Sequence, residues 1–71
     1  MEVLQISLAA ARVNAGLTQK EAAELLGVSN TTIVAWETGK SSPSIVDAKK
    51  LSEAYNIPLD NIFFPKQSNN I

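Results

Sequence analysis

Asn30, Thr31, Val34, Ala35 and Thr38 fall on one face of a helical wheel, and that face is uncharged: one amide, hydroxyls and methyl groups. A helix face that meets only water usually carries Lys and Glu. Here apolar Val34 and Ala35 stand beside an amide and hydroxyls, a mixture that suits the edges of nucleic-acid bases. An Asn side chain pairs bidentately with adenine, and methyls of Val, Ala or Thr can touch the methyl of thymine. Lys40, Ser41 and Ser42 follow directly, one cation and two hydroxyls of the kind that bind phosphate oxygens. Catalytic chemistry has no comparable set. The chain has no His and no Cys, no Gly-rich phosphate loop and no nucleophile beside a base. Neither a metal site nor a cofactor is expected, and no small-molecule ligand.

Such a face needs a scaffold, and 71 residues allow one domain. A domain this short lies near the lower edge of what a single apolar core can hold together. Without disulfides, helical packing has to supply the stability, and a hydrophobic fraction of 45% is enough for it. No apolar run is long enough to span a bilayer. Glu2 stands where a signal peptide would carry positive charge, and Arg12 interrupts the first apolar stretch. A soluble, intracellular protein is expected. The net charge of −1 and pI of about 5.1 oppose a nucleic-acid partner, which usually recruits excess Lys and Arg.

Ala15-Gly16, Gly39 to Pro43 and Asn56-Ile57-Pro58 are loop signals that cut the chain. A first helix is predicted from about Val3 to Asn14, with Leu4, Leu8, Ala11 and Ala15 on its apolar stripe. Thr18 and Glu21 form a capping box that opens a second helix, with Ala22, Ala23, Leu25 and Leu26 facing inward and Gly27 ending it. Ser29 caps a third helix running to about Thr38, with Ile33 and Trp36 inward and Gly39 closing it. Ser44 and Asp47 form another box for a fourth helix to Tyr55, whose inner face carries Ile45, Ala48, Leu51, Ser52 and Tyr55. Asn56 suits a left-handed cap. A last turn from Pro58 brings Leu59, Ile62 and Phe63 onto the core. The fold class is therefore all-α, four helices plus a short fifth helical turn. The domain is placed at residues 1–65 and a flexible tail at 66–71.

Only Gly27-Val28-Ser29 separate the second and third helices. So tight a joint needs a small residue where the helices cross, Ala23; a residue tolerant of positive φ, Gly27; and an apolar anchor for the second helix of the pair, Ile33. All stand at the spacing of a helix-turn-helix. With Leu17-Thr18-Gln19, Trp36-Glu37-Thr38-Gly39-Lys40 and Pro43-Ser44, the chain resembles the Cro and phage-repressor family, the lambda-repressor-like or XRE-type domains, from about Leu8 to Phe63.

The resemblance implies a sequence-specific double-stranded DNA-binding transcriptional regulator, a repressor working as a homodimer on an operator of two-fold symmetry, in the cytoplasm of a prokaryote or encoded by a phage. It implies that Asn30, Thr31, Val34 and Ala35 read bases. It assigns phosphate contacts to Gln19, Ser29, Thr32, Lys40, Ser41 and Ser42, and a partly buried ion pair to Arg12 and Glu37. Pairing of Arg12 would leave Lys40 and Lys20 as the cations near DNA, so one subunit would bind weakly and a dimer would compensate. Ile62, Phe63 and Phe64, with Leu59, exceed what so small a bundle can bury, and the remainder would serve self-association. Two alternatives keep the fold: a protein-interaction module that has lost DNA binding, which the acidity favours, and an antitoxin that binds both DNA and a toxin protein.

Overall fold

The computed structural model describes residues 4–65; the expected tail at 66–71 lies outside them. Four α-helices follow in order: α1 (Leu8–Asn14), α2 (Gln19–Leu26), α3 (Asn30–Thr38) and α4 (Ile45–Tyr55). A 3-10 turn at Leu59–Asn61 comes next, and two short strands, β1 (Ile6–Ser7) and β2 (Ile62–Phe63), pair in parallel with Ile6 opposite Ile62. The domain is mostly helical.

Local chemistry sets the helix ends. Thr18 and Glu21 cap each other reciprocally, the Glu21 amide donating to Thr18 Oγ1 at 3.0 Å and the Thr18 amide to Glu21 Oε1 at 2.8 Å. Ser29 and Ser44 accept from the Thr32 and Asp47 amides; Ser44 makes this half of its box. Gly27 adopts φ 72°, and the Val28 amide reaches back to the Ala23 carbonyl at 3.0 Å, a Schellman ending. A Cβ at Gly27 would meet nothing, so positive φ, rather than space, calls for glycine there. Gly39 ends α3 in the same way, with the Lys40 amide on the Ala35 carbonyl at 2.9 Å, and Asn56 at φ 55° ends α4.

The core joins Leu8, Ala11, Ala22, Ala23, Ile33, Trp36, Leu51, Tyr55 and Ile62. Ala22 and Ala23, both buried, let α2 and α3 approach closely. Several expected positions differ. The first helix starts at Leu8, not near Val3, and Leu4 is 79% exposed. Ser7 caps α1 instead, and residues 4–7 run extended beside the chain's far end. There the Gln5 side-chain amide donates to the Asp60 carbonyl at 3.2 Å and that of Asn61 to the Leu4 carbonyl at 2.8 Å. This clasp adds a parallel strand pair to a bundle expected to be wholly helical. Ala15 is exposed at the C-cap, and Leu25 also lies outside the core, because α2 has only eight residues and its two alanines already fill the crossing. Ile45, 70% exposed, sits in the first turn of α4 before that helix reaches the core. Phe63 is 52% exposed: along an extended chain sides alternate, so Ile62 points in, Phe63 out and Phe64 back against the core.

Tyr55, the chain's one tyrosine, is buried in the core, and its hydroxyl finds no hydrogen-bond partner among the described residues. Burial, reinforced by the Glu37 carboxylate and opposed by the Arg12 guanidinium, pushes its pKa from 10.0 up to about 12. Below pH 10 the phenol is protonated in the folded and unfolded chains alike. Between these values the unfolded chain loses a proton that the folded chain keeps, so stability falls as pH rises through this window. A tyrosinate absorbance titration is expected to show a late midpoint for the folded protein and an ordinary one in urea; coincident midpoints would contradict the burial of this hydroxyl.

Candidate nucleic-acid interface

The helix α3 has two sides. Ile33 and Trp36 are buried against α1, α2 and α4, while Asn30 and Thr31 are exposed in its first turn and Val34 and Ala35 are half-buried beside them. The four residues share one helix face. No acidic side chain occupies the first turn of α3, so the positive end of its dipole is not neutralised locally.

Ser29 and Thr32, at the same end, are engaged with each other. The Ser29 hydroxyl receives the Thr32 amide at 3.2 Å and lies 3.0 Å from the Thr32 hydroxyl. Thr38, at the far end, turns its hydroxyl onto the Val34 carbonyl at 2.9 Å, so this polar group is spent on the helix itself. Lys40, Ser41 and Ser42 are exposed, and the amides of Lys40 and Ser41 both reach the Ala35 carbonyl, which anchors the loop to the end of α3.

Behind the face lies an ion pair. Arg12 Nε donates to Glu37 Oε2 at 2.7 Å, with side chains only 13% and 6% exposed. Arg12 Nη1 also donates to the Leu17 carbonyl at 2.8 Å, fixing the loop between α1 and α2. Gln19, the first residue of α2, gives its amide nitrogen to Glu37 Oε1 at 3.0 Å. One carboxylate in the last turn of α3 thus gathers donors from α1 and α2. With Arg12 and Glu37 mutually neutralised, Lys40 is the remaining charge from Ser29 to Ser42, and Lys20, Glu21 and Glu24 are exposed on α2.

Sequence reasoning did not find the Leu17 carbonyl in this network, the nearness of Tyr55 to its charges, or the inward turn of the Thr38 hydroxyl. A backbone acceptor carries no sequence signal, and the approach of α4 to Arg12 and Glu37 is a product of packing. Among the described residues no group of His, Cys, Asp and Glu is placed to hold a metal ion, and no helix is long and apolar enough to cross a membrane.

Comparison with known proteins is consistent with this geometry. The family described as Helix-turn-helix matches residues 8–62. An uncharacterized HTH-type transcriptional regulator of Methanocaldococcus jannaschii is 43% identical over 47 residues, 66% of this chain and 71% of its own length. The cryptic phage CTXphi transcriptional repressor RstR of Vibrio cholerae is 33% identical over 58 residues, 82% of this chain and 52% of the repressor. The HTH-type transcriptional activator BcrR of Enterococcus faecalis is 37% identical over 51 residues, 72% of this chain and 25% of the activator. This chain therefore spans about half of the phage repressor and a quarter of the activator. No solved structure matches this chain.

Proposed function

The chain belongs to the helix-turn-helix family of DNA-binding transcriptional regulators, which are not enzymes, and from that premise we propose that α3 reads the major groove of a two-fold operator while the domain acts as a homodimeric repressor inside the cell. The observation that carries this reading is the outer face of α3. Asn30 and Thr31 stand free at the end that enters the groove first, Val34 and Ala35 offer methyls beside them, and nothing on the face is charged. Arg, the commonest reader of guanine, is missing, so half-sites lean towards A·T pairs where this face touches them.

Phosphates fall to Gln19, Lys40, Ser41 and Ser42. Ser29 and Thr32 contribute at the N-terminus of α3, which Ser29 caps by accepting from the Thr32 amide, since backbone amides there attract anions. Asn30→Ala is expected to cost about 1–3 kcal/mol on the preferred site and to relax one base position. Lys40→Ala is expected to weaken all sequences alike and reduce the salt slope by about one. Salt-dependent binding measurements on preferred and random duplexes separate the two. Identical behaviour of both variants on both kinds of DNA would remove α3 from its role.

Repression and dimerisation rest on further grounds. The similar phage protein is a repressor and matches 82% of this chain, the similar Enterococcus protein is an activator and matches 72%, and we take the repressor as the guide. With few free cations near the face, one subunit gains little from phosphates, which favours two acting together. An apolar groove of ≈ 580 Å³ runs between Pro43, Ile45 and Ala48 on one side and Leu59 and Phe64 on the other, and Phe63 and Leu4 are exposed next to its lining. We place the self-association surface there. Phe63→Asp is expected to shift sedimentation towards monomer while leaving the fold intact; a parent protein that stays monomeric at high concentration, with and without operator, would rule the dimer out.

A further inference from the structure

Gln19 and Glu37 are joined by one hydrogen bond whose direction matters. Glu37 is the more buried partner of the ion pair, and its two oxygens accept from Arg12 Nε at 2.7 Å, Arg12 Nη2 at 3.5 Å and Gln19 Nε2 at 3.0 Å. A carboxylate is an acceptor only, whereas a carboxamide has a donor end and an acceptor end. Turned the other way, the Gln19 amide would set its carbonyl oxygen against the Glu37 oxygen, two acceptors face to face. Glu37 therefore selects the orientation in which the nitrogen sits at the junction of α2 and α3, one hydrogen committed inward and the second left to donate.

We infer that Glu37 is a positioning residue for DNA: it acts through Gln19, holding that side chain as a ready-oriented donor at the start of α2 for a phosphate oxygen. A phosphate, like a carboxylate, accepts only. It gains from an amide that offers N–H and is repelled by one that offers its carbonyl. Arg12 contributes by holding the Glu37 carboxylate in place through Nε at 2.7 Å, so a pair that looks purely internal sets the donor pattern of the outer surface. The inference rests on the proposed contact between Gln19 and the DNA backbone.

The test is a double-mutant cycle read in DNA affinity, with Trp36 emission confirming that each variant is folded at the temperature used. Gln19→Met and Glu37→Gln are each expected to lower affinity by about tenfold, the equivalent of one hydrogen bond to a charged group. The double variant is expected to bind no worse than Gln19→Met alone. Base preference should stay as in the parent in every variant, and the salt slope should stay so in Gln19→Met, where a neutral contact has been lost and no charge changed. If Glu37→Gln fails to fold, Arg12→Met with Glu37→Met replaces the pair by apolar side chains, an exchange often tolerated; it too should match Gln19→Met. Full affinity in a folded Glu37 variant, or losses that multiply in the double variant, would overturn the inference. Full affinity in Gln19→Met would also overturn it, by removing the Gln19 contact, and would leave base reading by Asn30 to stand on its own test.

Discussion

Replacing Glu37 with alanine is expected to cost on the order of 3–5 kcal/mol of folding stability. The size follows from what is left behind. Arg12 stays charged, 13% exposed, and keeps the Leu17 carbonyl as its one remaining partner, while Gln19 loses its acceptor as well. A buried charge stripped of its counter-ion costs far more than a surface pair is worth. A domain of this length has on the order of 4–10 kcal/mol in all, so Glu37→Ala should leave the domain partly unfolded near physiological temperature. Urea unfolding of Arg12→Met, Glu37→Ala and the double variant forms the cycle. A large favourable coupling is expected. Coupling near zero would mean that the two charges act independently, whatever their separation.

Trp36→Ala is the second large effect, about 3–5 kcal/mol from lost burial and the cavity left behind. Trp36 is 5% exposed and belongs to the same cluster as Ile33, Leu51 and Tyr55. Truncating it would empty the contact between α3 and the rest of the bundle, so DNA binding should fail together with the fold. Trp36 is the sole tryptophan, so its emission reports this environment without interference. The native maximum is expected at shorter wavelength than in urea. An emission maximum indifferent to urea would contradict a core position and return the indole to the surface, where base stacking would be open to it.

Short-range chemistry was the legible part of this fold. Thr18, Ser29 and Ser44 announce helix starts and Gly27, Gly39 and Asn56 announce ends, because each satisfies backbone groups within a few residues of itself. The joint of Ala23, Gly27 and Ile33 was legible for the same reason. Residues 4–7 were not. Leu4, Leu8 and Ala11 have helical spacing; against it stand the Ser7 cap and the clasp by Gln5 and Asn61, which joins positions more than fifty residues apart and leaves no local signal. Leu25 and Ile45 show a second limit. Periodicity identifies an apolar stripe but not how much of it a short partner helix can cover. At the ending, Ile62 and Phe63 were both expected on the core, but the chain is extended there and its sides alternate, so Ile62 is buried and Phe63 is not.

In the proposed interface the uncharged make-up of the outer α3 face was readable from residue types, one amide, hydroxyls and methyls where a wet helix usually carries Lys and Glu. How those groups are held was less so. That Gln19 points its nitrogen at Glu37, and that Thr38 folds its hydroxyl onto Val34, depend on rotamers which spacing does not specify.

The most direct test is selection of duplexes bound by the purified protein from a random-sequence pool. A consensus should emerge, built of two inverted half-sites rich in A·T at the contacted positions, and Asn30→Ala should lose the preference at one position of each half. A pool that stays random after repeated rounds, with the protein shown to be folded, would contradict DNA reading by α3 and leave the domain a protein-binding module built on the same helices.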